Sequence, residues 1–162
     1  MRNETEVIKL IKDKLNPLKV ERLRDQNLTV TFDNYKLVSG LNYLKSHSYI
    51  HLATISCVDW IDDNEFELVY HVFSYEDKIN ISVKTRIDRK QSKFVTIKHI
   101  WAVAQYYERD IHDFYGIEFE GNDDMDELIL ENWNDIPPMR KDFKTREYVD
   151  EKYEWREYHG EK

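Results

Sequence analysis

The spacing of hydrophobic and polar positions changes several times along the first half of the chain. Residues 4–15 and 34–46 repeat apolar side chains every three or four positions, which predicts two amphipathic helices. The runs LKVERL (18–23) and LTVTF (28–32) alternate apolar and polar side chains on either side of a polar turn, which predicts a β-hairpin. The chain is therefore expected to begin with a helix, a hairpin and a second helix.

Three longer strand patterns follow, at 49–60, 65–75 and 78–87, and short polar turns join them. A third helix is predicted over 96–116, because its apolar side chains share one stripe and Gly116 stands where a left-handed C-terminal cap is expected. The order α-β-β-α-β-β-β-α predicts an α+β fold of two layers, in which helices pack on one face of a mixed, mainly antiparallel five-stranded sheet.

Composition argues against several classes of protein. Cys57 is the single cysteine, so neither an internal disulfide nor a cysteine-built metal site can form within this chain. The four glycines do not spell the glycine motifs of dinucleotide, P-loop or nucleophile-elbow sites. A net charge of −8 argues against nucleic acid as the ligand. The single cysteine favours a reducing, cytoplasmic setting. No apolar run has the length of a signal peptide or a membrane span.

The stretch ERDIHDFYG (108–116) gathers acids, an arginine and a histidine on the third helix. The helical wheel places Glu108 within the apolar stripe and His112 at its edge. Arg109 and Asp113 face outward, four positions apart, and can pair. A carboxylate among apolar side chains needs hydrogen bonds or a proton, and we favour a structural Glu108 bound to His112, a buried tyrosine or loop backbone. The alternatives are a general acid or base, a metal pair with His112, and an anchor for a partner chain.

The motif PPMRKDF (137–143) predicts a stiff C-terminal element. Its two prolines, ending at Pro138, favour an extended backbone that would present Arg140 and Lys141 from a stiff strand. We expect Arg140 to close the segment onto the domain and Lys141 to face a partner. Asp142 can orient one of these cations, and Phe143 is expected to be buried.

Two further stretches suggest contact surfaces. The basic stretch KTRIDRKQSKF (84–94) is expected to be a solvated hairpin edge or loop, with a docking patch for an acidic partner as the alternative. The tail combines aromatic side chains with no helical or strand pattern, which implies that it lies on another subunit. These aromatic residues are Tyr148, Tyr153, Trp155 and Tyr158. We therefore expect residues 1–120 to form the core domain, and residues 121–162 to form an irregular segment that ends in an extended docking tail.

Two of these motifs together carry a family resemblance. HIWAVAQYYERDIHDFYGIEFEG followed by LILENWNDIPPMRKDF resembles the signature of the 30 kDa subunit family of respiratory complex I, known in bacteria as the C subunit of NADH dehydrogenase. The likeness extends upstream through VDW (58–60) and VYHVFS (69–74). PPMRKDF looks more like the homologous subunits of energy-converting, membrane-bound [NiFe] hydrogenases. The sequence departs from the family pattern at GND (121–123) and DE (126–127).

The resemblance implies a cofactor-free subunit without catalytic, cofactor-binding or metal-binding residues of its own. Such a subunit sits in the cytoplasmic arm, peripheral to the membrane through its complex. Its expected partners are the large catalytic subunit, a 49 kDa or hydrogenase-large-subunit homologue, and the small iron–sulfur subunit. ERDIHDFYG would then be a structural and docking element. The rival hypotheses are a small stand-alone acid–base enzyme that uses Glu108 and His112, and an adaptor unrelated to redox chemistry.

Overall fold

The computed structural model describes residues 1–152. Its helices are α1 (Glu4–Leu15), α2 (Asn34–Ser46), α3 (Ala104–Tyr115) and α4 (Thr145–Lys152), with a 3-10 turn at Ile61–Asp63. Its strands are β1 (Lys19–Arg24), β2 (Asn27–Thr31), β3 (His51–Trp60), β4 (Glu65–Ser74), β5 (Ile79–Asp88), β6 (Lys93–Val95) and β7 (Glu118–Glu120). In the part of the chain so described, no helix is long and apolar enough to cross a bilayer.

The five longest strands form one sheet in the order β1-β2-β5-β4-β3. β2 and β5 run parallel, and the other three neighbouring pairs are antiparallel. This confirms the predicted α+β fold with a mixed, mainly antiparallel sheet, and α1 and α2 have the predicted bounds. β6 and β7 pair in parallel as a separate small sheet. This pair was not predicted from the sequence, because a strand of three residues is too short to show an alternating pattern.

The core lies between α1, α2 and one face of the five-stranded sheet. The helices contribute Val7, Ile11, Leu37, Leu41 and Leu44, and the strands contribute Val30, Leu68, Tyr70, Ile81 and Val83, all of them buried. Gly40 on α2 lets the helix pack directly on the Phe32 ring that follows β2, because a Cβ atom at Gly40 would lie 2.9 Å from that ring. The spacing of apolar positions thus determines which face of each element is buried.

The basic stretch 84–94 forms the predicted loop only at residues 89–92, between β5 and β6. Its first half lies on β5, between two other strands of the sheet. Four of its cations bind acids of the same chain, in the pairs Lys84–Glu67, Arg86–Glu67, Arg89–Asp59 and Lys93–Glu118. Because these positive charges are matched internally, the stretch gives little support to a docking patch for an acidic partner.

The third helix begins later than predicted. Residues 96–103 form turns, and α3 begins at Ala104. The backbone N–H groups of Ile100 and Trp101 both bond to the Ile97 carbonyl, and their side chains are buried as the apolar pattern requires. The prediction of a helix over 96–103 was therefore wrong, because successive tight turns bury the same side chains that a helical stripe would bury.

The segment after Phe143 also differs from the prediction. The sequence suggested no regular structure there, but Thr145–Lys152 form α4. This helix has no buried residue, and Lys144 pairs with Glu147 in its first turn. Because α4 buries no side chain, its sequence lacks the apolar repeat of three or four residues from which a helix is predicted. Tyr153, Trp155 and Tyr158 lie outside the described residues.

The free edge of β3 is covered by α3 and by the turns before it. Three aromatic side chains donate hydrogen bonds to backbone carbonyls in or beside this edge strand. They are Trp101 to Ile50 at 2.9 Å, Tyr107 to Ala53 at 2.8 Å and Tyr115 to Cys57 at 2.9 Å. An uncovered edge strand can pair with another chain, and buried backbone groups need partners. The aromatic donors therefore fix α3 in place while they satisfy the edge.

We predict that Tyr115→Phe lowers the free energy of unfolding by about 1 kcal/mol, because the Cys57 carbonyl loses its donor while the ring packing is kept. Tyr106→Phe on the same helix is the matched control, since Tyr106 is 50% exposed and its hydroxyl has no partner within residues 1–152. Urea unfolding of both variants measures the difference. Equal stabilities would show that the edge hydrogen bond contributes nothing.

Candidate functional site

Glu108 on α3 is completely buried, as the helical wheel predicted. Its Oε1 accepts the backbone N–H of Ile97 at 2.8 Å, and its Oε2 accepts the Thr96 hydroxyl at 2.6 Å and the Asn122 side-chain amide at 2.9 Å. Burial raises the pKa of Glu108 above its ordinary value, although these three donors oppose the shift. The carboxylate therefore joins the turn before α3 to the segment after β7. Of the three partners suggested by the sequence, the loop backbone is the one observed.

Arg109 and Asp113 do not pair with each other as the sequence suggested. Arg109 bonds to the Asp124 carboxylate at 3.1 Å and to the carbonyls of Asp126 and Glu127. The Asp113 carboxylate accepts the consecutive N–H groups of residues 128–130, at 2.8 to 3.3 Å. An i,i+4 pair on a helix surface is worth only a few tenths of a kcal/mol, and the backbone of a distant segment offers several partners instead. Both side chains thus hold the acidic segment 124–130 on α3.

His112 and Gly116 complete the C-terminal end of α3. The His112 Nδ1–H donates to the Ile117 carbonyl at 3.0 Å. Gly116 has φ +69°, and its N–H bonds to the His112 carbonyl at 2.7 Å, which is the predicted left-handed cap. A Cβ atom on Gly116 would lie 3.0 Å from the Pro137 ring, so the glycine also lets the proline segment approach. His112 is thus bound to backbone rather than to Glu108.

PPMRKDF forms two consecutive turns rather than the predicted stiff strand. The Arg140 N–H bonds to the Pro137 carbonyl, and the Phe143 N–H bonds to the Arg140 carbonyl. Pro138 occupies the second position of the first turn, where its fixed φ is favoured. The Arg140 guanidinium donates to the Tyr115 carbonyl at 2.8 Å and to the Ser92 hydroxyl at 2.8 Å. The motif is therefore attached to the domain through Arg140, as the sequence suggested.

Asp59 is a central residue of this attachment that was not identified from the sequence. It is 3% exposed, and its carboxylate binds the Arg89 guanidinium through two hydrogen bonds of 2.8 and 3.0 Å. It also accepts the Lys141 backbone N–H at 2.8 Å. Burial alone would raise the pKa of Asp59, but the Arg89 side chain and the Lys141 amide outweigh it and hold the pKa below its ordinary value. Asp59 continues the inward phase of Ile55 and Cys57 along β3, a pattern that could have identified it.

Asp142 and Lys141 lie differently from the prediction. The Asp142 carboxylate pairs with Arg89 at 2.7 Å rather than with Arg140 or Lys141. The Lys141 Nζ atom lies 5.9 Å from the centre of the exposed Trp60 ring, and the Lys141 side chain is exposed. Two guanidinium groups, Arg89 and Arg140, therefore carry the attachment, and the Lys141 ammonium is accessible at its edge.

Phe143 is half-buried rather than buried. Its ring lies 5.5 Å from Trp133 and 5.4 Å from Tyr148, and these two rings are 5.0 Å apart. The three rings form an aromatic cluster that packs the first turn of α4 against the segment before Pro137. Tyr148, one of the predicted docking aromatics, thus has an internal contact. Trp155, another of them, lies outside the described residues.

The charged side chains of α3 and of PPMRKDF mainly connect segments of the chain and are not arranged as a reactive centre. Glu108 is enclosed by its three donors, and Asp113 is bound by backbone N–H groups. Within residues 1–152 no group of three or more histidine, cysteine, aspartate or glutamate side chains has the geometry to hold a metal ion. The Cys57 thiol is buried beneath α3, and burial raises its pKa well above the ordinary value, which makes it a poor nucleophile.

Comparisons with known proteins give one consistent family. The family model for the 30 kDa subunit of respiratory-chain NADH dehydrogenase matches residues 30–149. The C subunit of the NADH-quinone oxidoreductase of Phenylobacterium zucineum is 30% identical over 129 residues, which are 78% of this chain and 61% of that protein. The C subunit of the F(420)H(2) dehydrogenase of Methanosarcina mazei is 30% identical over 118 residues, which are 69% of this chain and 72% of that protein. The chain thus spans less than two thirds of the length of the Phenylobacterium relative.

A solved structure matches over almost the whole chain. A chain of the membrane-bound sulfane sulfur reductase, an archaeal respiratory membrane complex, superposes with a TM-score of 0.88 at 33% identity. The match covers 98% of this chain and 95% of that chain. It therefore includes the C-terminal segment as well as the five-stranded sheet.

We predict that Glu108→Ala lowers the free energy of unfolding by about 1–3 kcal/mol more than Asp110→Ala, because it leaves the buried donors of Thr96, Ile97 and Asn122 without an acceptor. Asp110 is the matched control, two positions along the same helix and with no hydrogen bond to any of residues 1–152. Urea unfolding at neutral pH is the measurement. Equal losses would contradict the structural role of Glu108.

Proposed function

The chain belongs to the family of the 30 kDa subunit of respiratory-chain NADH dehydrogenase, and from this membership we propose that it is a non-catalytic subunit of a membrane-associated, complex I-like oxidoreductase. It braces the large catalytic subunit beside the small iron–sulfur subunit on the cytoplasmic side of the membrane. The complex is a NADH:quinone oxidoreductase or an energy-converting relative such as a membrane-bound hydrogenase. The chain reaches the membrane only through the complex, and it binds neither nucleic acid nor a cofactor of its own.

The observation that carries this proposal is the match to a chain of an archaeal respiratory membrane complex over 98% of the present chain. A match of this extent includes PPMRKDF and the segment held by Arg109 and Asp113, not only the sheet that unrelated proteins could share. The named relatives in Phenylobacterium and Methanosarcina are also subunits of oxidoreductases that bear different donor names. A role that is common to all of them does not depend on the electron donor.

The environment of Glu108 supports a structural role over the acid–base alternative. A general acid or base must reach the substrate proton, either directly or through one water. Both oxygens of Glu108 are enclosed and bound to donors of the same chain, and the His112 Nδ1–H is bound to a carbonyl. The motif therefore fits a support for the surrounding segments, and through them for a partner.

We assign the docking role to the C-terminal segment 121–162, with residues 1–120 as the core domain. Arg140 binds inward, whereas the Lys141 ammonium is exposed beside Trp60. The exposed side chains of Ile129, Ile136 and Met139 lie on the same segment. Exposed apolar side chains are typical of the centre of a protein interface, and an exposed cation is typical of its polar rim.

We predict that the full chain, tagged and expressed in its own host, co-purifies from detergent-solubilised membranes with the large catalytic and small iron–sulfur subunits. Replacement of residues 153–162 by a Gly/Ser tail of equal length should leave the melting temperature unchanged, because the hydrophobic core of the described residues is formed by positions 7–119. The same replacement should reduce co-purification of the large subunit. Mass spectrometry of the purified material is the measurement.

Two results would contradict the proposal. Recovery of the full chain without any oxidoreductase subunit would remove the proposed role altogether. Electron transfer catalysed by the isolated full chain would make the protein an enzyme rather than a support.

A further inference from the structure

An open cleft of about 180 Å³ lies between the edge strand β3 and α3. Ile55 and Cys57 line it from β3, Ile111 and Phe114 line it from α3, and Met139 lines it from the C-terminal segment. Met139 is 54% exposed, although it stands against a largely apolar surface. The cleft is therefore an apolar recess whose rim is formed by three separate parts of the chain.

Asp110 places a carboxylate on the rim of this cleft. It is half-buried, and it makes no hydrogen bond or ion pair with any of residues 1–152. Its charged neighbours on α3 are committed elsewhere, since Arg109 binds residues 124–127 and Asp113 binds residues 128–130. The residues that face it across the cleft from β3 and from the C-terminal segment carry no charge.

Burial raises the pKa of Asp110, and the Asp113 carboxylate adds to the shift while Arg109 opposes it. A half-buried carboxylate without a partner is unfavourable, whereas the neighbouring acids Glu108 and Asp113 have both found donors. An external cation would supply the missing partner. The side chain that carries this cation would have to be largely apolar, because the recess beside the carboxylate is lined mainly by aliphatic, aromatic and sulfur-bearing side chains, with Ser56 as a polar exception.

The side of α3 that carries Asp110 also presents a continuous contact surface around the cleft. Val103, Tyr106, Asp110 and Phe114 follow each other at intervals of three or four residues, so they share one stripe. Val103 is 40% exposed and Tyr106 is 50% exposed. With Met139 they frame Asp110 in exposed apolar side chains, which is the composition of the centre of a protein interface rather than of a solvated helix face.

We propose that this cleft receives an arginine side chain of a neighbouring subunit in the complex, with the guanidinium paired to Asp110 and the apolar stem packed between Ile55, Phe114 and Met139. Arginine fits better than lysine, because its planar fork binds a carboxylate through two hydrogen bonds and its guanidinium is less strongly hydrated. The inference rests on the proposed function, since the neighbouring subunit exists only if the chain is part of such a complex.

The test uses Asp110→Asn, which removes the charge and keeps the size of the side chain. Asp13→Asn is the matched control, because Asp13 is also on a helix and also has no bonded partner within residues 1–152. Tagged full-length variants are recovered with the other subunits from solubilised membranes. We expect Asp110→Asn to weaken the association by at least about tenfold, since truncation of one partner of a buried charge pair at an interface costs this much or more. The Asp13→Asn variant should associate as the unaltered chain does.

A second measurement identifies what occupies the cleft and does not depend on the stability of the Asp110 variant. A photo-crosslinking phenylalanine analogue in place of Phe114, in the otherwise unaltered chain, is irradiated within the assembled complex. We expect a crosslink to a peptide of another subunit that contains an arginine beside the crosslinked position.

Three outcomes would overturn the inference while the proposed function stands. They are unaltered association of the Asp110→Asn variant, a crosslink to residues 153–162 or to a second copy of this chain, and a crosslink to a partner peptide without arginine. Failure of the unaltered chain to associate with any oxidoreductase subunit would instead contradict the proposed function itself.

Discussion

Asp59 brings an ionised carboxylate into the interior at the end of the edge strand β3, and the arrangement of the C-terminal segment depends on how that charge is compensated. The Arg89 guanidinium binds it through two hydrogen bonds, and the Lys141 backbone N–H supplies a third. Removing a carboxylate from water costs several kcal/mol unless such donors replace the water. Asp59 therefore joins three segments that are far apart in sequence, namely β3, the turn after β5 and PPMRKDF. The guanidinium groups of Arg89 and Arg140 both lie over the Phe66 ring, which extends this junction into the core.

α3 distributes the rest of the C-terminal chain around this junction. Its inward side uses Glu108 to bind the turn at residues 96–97 and Asn122, and its outward side uses Arg109 and Asp113 to hold residues 124–130. The charged side chains of this helix, for which the sequence left an acid–base site open as an alternative, are thus accounted for by the number of chain segments that they bind. Asp110 differs from its neighbours because its carboxylate has no bonded partner within residues 1–152, and it lies beside an apolar cleft. The helix accordingly binds segments of its own chain through Glu108 on one side and through Arg109 and Asp113 on another, and the side that carries Asp110 is the one that we propose for a partner subunit.

Local spacing was sufficient to predict the elements whose buried face repeats regularly. The bounds of α1 and α2, the β1–β2 hairpin, the three long strands and the burial of Glu108 all follow from side-chain periods of two or three to four residues. Contacts set by tertiary placement could not be obtained in this way. Arg109 and Asp113 are four positions apart, yet each binds a segment at least fifteen residues away. Asp59 and Arg89 meet because the register of β3, β4 and β5 brings them together, and no short motif records that register. The turns at 96–103 bury the same apolar side chains that a helix would bury. Periodicity alone therefore cannot distinguish these turns from a helix.

The attachment of the C-terminal segment through Asp59 can be measured directly by amide hydrogen exchange of the full chain, read by NMR. The comparison is between the unaltered chain, Asp59→Asn, and the control Asp62→Asn on the nearby exposed 3-10 turn. We expect that in Asp59→Asn the amides of residues 139–143 exchange at least about tenfold faster, while those of β4 and β5 keep their protection, because the segment opens locally. Unaltered exchange of the Lys141 amide in Asp59→Asn, or an equal loss of protection throughout the sheet, would contradict this role of Asp59.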